Sequence, residues 1–115
     1  MKLIYIAGPY TAKTDFQRLQ NIQAAREANA IIWGNGAAAI CPHMNTAHLD
    51  GAPGTSNRTW LDGYLEILYR CDAVYFLEGW RRSNGCILEL REALLQHKRT
   101  FYTRIGLLNY INKCI

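Results

Sequence analysis

The stretch that decides the fold is DAVYFLEGWRRSNGCILE, residues 72–89. Residues 72–77 combine β-branched, aromatic and aliphatic side chains, which is the composition of a buried strand. Residues 79–85 are polar and begin and end with glycine, which predicts a loop, and a helical period of apolar residues starts at Cys86. Because α/β proteins bind ligands where a strand ends and a helix begins, this stretch predicts both a fold class and a site.

The start of this helix has the properties of an anion-binding site. Backbone amides around Ser83, Asn84 and Gly85 lack acceptors inside the helix, and a glycine lets an anion approach the main chain closely. Ser83 adds a hydroxyl donor, and Arg81 and Arg82 add positive charge on the same loop. The loop therefore predicts binding of an anionic group.

Glu89 lies one turn into the helix, at the border between its two faces. At about 100° per residue, the arc expected to face the sheet contains Cys86, Ile87, Leu90, Ala93 and Leu94. A carboxylate on the edge of that arc is partly desolvated, which raises its pKa and suits it to covalent or acid–base chemistry. A solvated surface glutamate is the alternative interpretation.

The rest of the chain alternates strands and helices. Strands are predicted at residues 2–7, 37–41 and 100–103, and helices from about 15 to 33, over 59–70 and over 105–115. Right-handed crossovers then imply a parallel sheet with the simple strand order 2-1-3-4. We predict one α/β domain over residues 1–115, a flavodoxin- or Rossmann-like three-layer sandwich with a parallel sheet of four to five strands. In its first helix, the core-facing side chains are predicted to be Leu19, Ile22, Ala30 and Trp33.

The strand order predicts which loops meet. The loops after the first and third strands, 8–11 and 79–85, face each other at the switch point, with the loop after the second strand beside them. The cleft then gathers Gly8, Pro9, Tyr10, His43, Ser83, Asn84, Gly85 and Glu89. Aromatic surface, donors and a carboxylate together suit a nucleoside or nucleotide. Residues 47–57 have no period, and we predict that they form a flexible lid.

The composition limits the partners. The net charge is +4, half of the residues are apolar, and no run of Lys or Arg exceeds two, which favours a small anionic ligand over nucleic acid. The four cysteines have no metal-ligand spacing, so we expect reduced thiols, no metal and no cofactor. With neither a signal peptide nor an apolar stretch as long as a membrane span, we expect a cytoplasmic protein without a membrane partner.

Five segments carry a family resemblance: IYIAGP at 4–9, CPHMNT at 41–46, WLD at 60–62, RCDA at 70–73 and GWxxSxGxxxE at 79–89. They resemble the nucleoside 2-deoxyribosyltransferase superfamily, specifically its short phage and bacterial, DUF4406-like branch and the related 2′-deoxynucleoside 5′-monophosphate N-glycosidases. The resemblance implies that Glu89 is the nucleophile on the anomeric carbon of deoxyribose. A double displacement follows, in which water or a second base resolves the glycosyl-enzyme.

The chain departs from this family at one position. An aspartate eight residues before Asp72 takes part in proton transfer in the family, and Tyr64 stands there in this sequence. Asp62 is proposed as the catalytic acid in its place, with Glu66 on the next turn of the helix as an alternative.

Position 83 bears on the substrate. Transferases for free nucleosides carry an acid six residues before the nucleophile, whereas Ser83 resembles the monophosphate-specific glycosidases. A hydroxyl with adjacent amides and arginines binds a 5′-phosphate that a carboxylate would repel. The resemblance also implies a homodimer or higher homo-oligomer, and Leu88 and Leu95, opposite the sheet-facing arc, are candidate interface residues.

We therefore predict cleavage, or base exchange, at the N-glycosidic bond of a 2′-deoxynucleoside 5′-monophosphate through a glutamate nucleophile. A non-catalytic protein that binds or sequesters a nucleotide in the same cleft is the alternative. A phosphoribohydrolase of the lysine-decarboxylase-like group is a more remote one, because its double-glycine phosphate loop is missing. Nucleic-acid binding is the least favoured, since aromatic and basic residues do not interleave.

Overall fold

Strands and helices alternate along the chain in the computed structural model, which describes residues 1–45 and 51–113. The elements are β1 Leu3–Ala7, α1 Asp15–Gly34, β2 Ala38–Ile40, α2 Pro42–Asn45, α3 Asn57–Arg70, β3 Ala73–Phe76, a 3₁₀ turn Trp80–Arg82, α4 Asn84–Leu95, β4 Arg99–Phe101 and α5 Arg104–Asn112. No helix in these ranges is long and apolar enough to cross a membrane.

The four strands of the described sheet are all parallel and lie in the order β2-β1-β3-β4, which confirms the predicted order. β1 and β3 are central, and Tyr5 is in register with Val74. Their carboxyl ends therefore lie side by side at one edge of the sheet. The loops that follow them start from this edge.

Side chains alternate along β1 and divide the core into two layers. Ile4 and Ile6 pack in one apolar cluster with residues of α1 and α5, whereas Tyr5 and Ala7 pack in another with residues of α3 and α4. All four are buried, as expected for a strand covered on both faces. The predicted three-layer α/β sandwich is confirmed. It places α3 and α4 on the same side as Tyr5.

The sheet-facing side of α1 differs from the prediction. The buried residues of this helix are Ala25, Ala28 and Ile32, whereas Leu19 and Trp33 are more than half exposed. Small alanine side chains let a helix pack closely on a sheet. The face that packs is therefore selected by side-chain size more than by side-chain hydrophobicity. The predicted stripe is wrong at Leu19, Ala30 and Trp33, which are all exposed.

The face of α4 that packs on the sheet is also narrower than predicted. Cys86 and Ala93 are buried, but Ile87 and Leu94 are exposed. Leu95 is exposed as well, and a surface groove is lined by Ile87, Leu90, Arg91, Leu94 and Leu95. Placing Ile87 and Leu94 against the sheet was therefore wrong. A homo-oligomer that covers this face stays a prediction.

The connection after β2 contains an element that the sequence did not reveal. Pro42 begins α2, a single turn in which the amides of Met44 and Asn45 both donate to the carbonyl of Cys41, at 3.0 and 3.1 Å. α3 begins at Asn57, where Thr59 Oγ1 accepts from the Ser56 amide. Residues 46–50 lie outside the described part, so the lid over 47–57 stays a prediction.

Candidate active site

The loops after β1 and β3 are in contact, as the strand order requires. A Cβ on Gly8 would lie 2.8 Å from Leu77 Cδ1, and one on Gly79 would lie 3.4 Å from Pro9 Cγ. Gly79 has a φ of 89°, a left-handed conformation that favours glycine. A side chain at position 8 would force Leu77 to shift, which favours a glycine there without any ligand, so its predicted ligand contact stays a prediction.

The amino end of α4 forms a cradle of amides. Ser83 is the N-cap residue, and its Oγ accepts a 3.2 Å hydrogen bond from the Cys86 amide. Within the described residues, the amides of Asn84 and Gly85 have no acceptor. A Cβ on Gly85 would make only an ordinary 3.8 Å contact with Ser83 Oγ. Neither packing nor φ therefore requires a glycine at position 85, and its predicted role in ligand binding stays a prediction.

The two arginines of the loop have different surroundings. The Arg81 guanidinium lies 5.3 Å from the centre of the Trp80 ring. Trp80 itself packs against Phe76, with ring centres 5.4 Å apart. The Arg82 side chain instead folds back over the loop, and its Nη2 atom lies 3.7 Å from a Cβ built on Gly79. Arg82 is therefore the cation nearer to the contact between the two loops.

The carboxylate of Glu89 meets the hydroxyl of Tyr5 beneath this cradle. Tyr5 is fully buried, and its hydroxyl donates a hydrogen bond to Glu89 Oε2. Burial raises the pKa of Glu89 to about 7, although the Tyr5 hydrogen bond acts in the opposite direction. Burial, and next the charge of Glu89, raise the pKa of Tyr5, so its hydroxyl keeps its proton.

The environment of the Tyr5–Glu89 pair decides the protonation of Glu89 and which of its oxygens can react. A carboxyl group with a pKa of about 7 exchanges between its charged and neutral forms near neutral pH. The Tyr5 hydrogen bond fixes Oε2 of Glu89, and no hydrogen-bond partner of Oε1 is found among the described residues, so Oε1 is the oxygen that can contact a reacting atom. The predicted position of Glu89 at the border of core and cleft, and the predicted rise of its pKa, agree with this geometry.

Tyr64 lies next to the pair and connects it to α2. Its ring packs in the apolar cluster that contains Tyr5. Its hydroxyl donates to the carbonyl of Pro42 at 3.3 Å and accepts a long contact from Asn45 Nδ2 at 3.5 Å. The position at which the resemblance implies an acid therefore holds a phenol that is engaged with α2.

The proposed acid, Asp62, has another partner. Its carboxylate forms an exposed ion pair with Arg58 at 3.0 Å. Two residues along a helix correspond to a rotation of about 200° around its axis, so the side chains of Asp62 and Tyr64 point to nearly opposite sides of α3. Glu66 is paired in the same way with Arg70, also at 3.0 Å. The structure thus does not bring either acid to Glu89, and the role of Asp62 stays a prediction.

Tyr10 and His43 are the two remaining residues that the sequence predicts to contact a ligand. Tyr10 follows Pro9 in the loop after β1. Its side chain is exposed, and its carbonyl accepts a 3.5 Å hydrogen bond from the Asn21 side chain. His43 belongs to α2, but its side chain lies outside the described part of the structure. Ligand contacts by Tyr10 and His43 stay predictions.

Comparison with known proteins places the chain in a family. The sequence profile of a domain of unknown function, DUF4406, matches residues 2–102. The chain belongs to the DUF4406 family. No match was found among curated proteins.

Solved structures show which fold the DUF4406 chain shares. A 2-deoxyribosyltransferase from the psychrotolerant bacterium Bacillus psychrosaccharolyticus superposes with a TM-score of 0.65 at 16% identity, covering 85% of this chain and 69% of that one. The 2-deoxyribosyltransferase from Leishmania mexicana gives a TM-score of 0.63 at 20% identity, covering 87% and 62%. The DUF4406 chain thus has the deoxyribosyltransferase fold but spans only about two thirds of the length of these enzymes.

Two residues that the structure brings near Glu89 or Tyr64 were not assigned to the candidate site from the sequence. Tyr5 was assigned only to a buried strand, although a tyrosine among aliphatic residues is a signal that its hydroxyl needs a buried partner. Asn45 was quoted in a motif but not assigned to the site, because the one-turn helix that carries it was not predicted. The structure joins Glu89 to Tyr5 and Asn45 to Tyr64, and the two tyrosines pack in one apolar cluster.

Proposed function

We propose that this DUF4406 protein cleaves the N-glycosidic bond of a 2′-deoxynucleoside 5′-monophosphate, or exchanges its base, with Glu89 as nucleophile. The observation that carries the proposal is the hydrogen bond between the fully buried Tyr5, in the central strand β1, and the partly buried carboxylate of Glu89 on α4. A fold shared with 2-deoxyribosyltransferases supports the same reaction class.

The proposed reaction is a double displacement. The ionised oxygen of Glu89 attacks C1′ while the bond from C1′ to the base breaks, and its electron pair leaves with the base, which takes up a proton. Water then attacks C1′ of the glycosyl ester, loses a proton and releases the Glu89 carboxylate; in base exchange, a nitrogen of a second base replaces water. Positive charge on the sugar ring in each transition state is stabilised by the nearby carboxylate.

The proton for the leaving base is assigned to Asp62. The proposed acid, Asp62, pairs with Arg58 in this conformation. Proton delivery by Asp62 therefore requires this ion pair to open and α3 to present a different face to the cleft. Replacement of Asp62 by Asn tests this role directly, because the neutral amide cannot donate the proton of a carboxylic acid.

The proposed 5′-phosphate site is the amide cradle at the amino end of α4. The amides of Asn84 and Gly85, the Ser83 hydroxyl and the Arg82 guanidinium supply donors and positive charge for a phosphate. Ser83 Oγ already accepts from Cys86, but its own proton remains available for donation. No carboxylate lies in the loop from Gly79 to Gly85, so this cradle suits a dianion better than a neutral hydroxymethyl group.

A second candidate is nucleotide binding without turnover. Tyr64 favours it, because a phenol bonded to Pro42 replaces the acid that the resemblance implies. In that case the cleft keeps its affinity for a nucleotide while the leaving base receives no proton.

Chromatographic detection of free base distinguishes the two candidates. Wild-type protein and Glu89→Ala are incubated separately with 2′-deoxynucleoside and ribonucleoside 5′-monophosphates and with the parent nucleosides. The proposal predicts base release from at least one deoxynucleotide by the wild type and none by Glu89→Ala. Release that persists in Glu89→Ala removes Glu89 as nucleophile. Thermal stabilisation by a nucleotide with no release from any compound favours the binding protein.

A further inference from the structure

Tyr64 is the residue through which α3 holds the turn after β2. α2 has only one turn, so its own backbone hydrogen bonds give it little stability. The Tyr64 hydroxyl adds a contact from a neighbouring 14-residue helix, through the 3.3 Å hydrogen bond to the carbonyl of Pro42. The same hydroxyl accepts a long, 3.5 Å contact from the side-chain nitrogen Nδ2 of Asn45. Both ends of the α2 turn are thus tied to one phenol.

The Tyr64 side chain lies between α2 and the cluster that contains Tyr5, the partner of Glu89. Tyr64 packs in the same apolar cluster as Tyr5, whose hydroxyl bonds to Glu89. Asn45 is exposed and carries an amide with both donors and an acceptor. Fixing α2 through Tyr64 therefore fixes the position of an exposed amide relative to Glu89.

The chemistry of the contact explains why a carboxylate does not suit position 64. The carbonyl of Pro42 accepts a hydrogen bond from the Tyr64 hydroxyl, and an ionised aspartate, which only accepts hydrogen bonds, could not replace this donor. An aspartate is also shorter than a tyrosine by the length of the ring, so it would not reach Pro42 from the same helix position. The phenol supplies both reach and a proton, which a short acid does not.

On the basis of the proposed function, we infer that Tyr64 is a positioning residue of this site. Its hydroxyl holds the α2 turn so that the Asn45 amide contacts polar atoms of the bound deoxynucleotide while Glu89 faces C1′. In this role Tyr64 acts on substrate binding through Asn45 and donates no proton to the base. Asn45 is then a specificity-determining contact of the cleft.

The variant that tests this inference is Tyr64→Phe, which keeps the ring and removes the hydroxyl. Tyr69→Phe is the matched control, because Tyr69 lies on the same helix and its ring is exposed. The first measurement is hydrogen–deuterium exchange of the Met44 and Asn45 amides, which needs no ligand. We expect about tenfold faster exchange in Tyr64→Phe and no change in Tyr69→Phe, in line with the loss of about one net hydrogen bond. Equal exchange in both variants overturns the inference.

The second measurement is steady-state base release from the deoxynucleotide that the wild type cleaves. Tyr64→Phe is expected to raise KM about tenfold, to change kcat less than twofold and to leave the acid limb of the pH profile in place. Asn45→Ala is expected to raise KM similarly, and the double variant is expected to add little further. A fall in kcat with unchanged KM contradicts positioning and assigns proton transfer to Tyr64. A wild type that neither binds nor cleaves these nucleotides overturns the proposed function, and the exchange data then still decide whether Tyr64 holds α2.

Discussion

Replacing Tyr5 by Phe removes a single oxygen from the centre of the site. The ring continues to fill its place in the core, where Tyr5 is fully buried. The Glu89 carboxylate loses the donor that favours its ionised form, while the burial that opposes ionisation remains. The pKa of Glu89, already raised to about 7, therefore rises further.

The size of this effect follows from the strength of the hydrogen bond. A hydrogen bond to a charged group is worth about 1.5–3 kcal/mol, and about 1.4 kcal/mol corresponds to one pH unit. The acid limb of the activity profile is thus expected to move alkaline by about one to two pH units. Since the nucleophile must be ionised, activity at pH 7 falls about fivefold to fiftyfold and recovers at higher pH.

The assay is base release by Tyr5→Phe and wild type between pH 5 and pH 10, with Tyr69→Phe as a control for loss of a phenol elsewhere. The wild-type rate is expected to rise with pH through about 7, which is the pKa of Glu89. A Tyr5→Phe profile that is lower at every pH but has the same midpoint would refute the link between Tyr5 and the ionisation of Glu89.

Three other predictions concern the same elements. Because the folded-state pKa of Glu89 is raised above its ordinary value of 4.5 to about 7, this group favours the folded state most below pH 4.5 and loses that contribution as pH rises to 7. Glu89→Gln should therefore be about 3 kcal/mol more stable than wild type at pH 8 in urea unfolding, and equal stability would contradict the raised pKa. Ser83→Asp keeps a good helix cap but should weaken binding of a monophosphate about tenfold more than binding of its nucleoside, with Ser83→Asn as the neutral control; equal losses contradict the phosphate site. Gly85→Ala should leave the melting temperature nearly unchanged, because its Cβ has room, yet lower monophosphate affinity, and unchanged affinity would exclude the amide cradle.

Residue patterns predicted the topology because each strand has its own sequence signal. The run from Leu3 to Ala7 is apolar on both faces, and crossover handedness then leaves few strand orders. Helical phase also predicted that Glu89 lies between core and cleft. These are local properties of the chain, which single-sequence periodicity detects.

Packing faces were predicted less well, because they depend on what the neighbouring element accommodates. α1 presents Ala25 and Ala28 to the sheet, and hydrophobicity alone gives alanines little weight against Trp33. Tyr5 was missed because periodicity shows that a strand is buried, but not which side chain from a distant helix it meets. The tie between Tyr64 and Pro42 joins residues 22 positions apart through an unpredicted turn, so no local pattern indicates it.

The formation of a covalent bond at Glu89 is the most direct test of the proposed reaction. Wild-type protein and Glu89→Gln are mixed with the cleaved deoxynucleotide, quenched in acid within milliseconds to seconds, digested and analysed by mass spectrometry. The double displacement predicts a deoxyribose 5-phosphate adduct on the wild-type peptide that contains Glu89, and none on Glu89→Gln. Base release by the wild type without any adduct at this residue, together with continued release by Glu89→Gln, would contradict it.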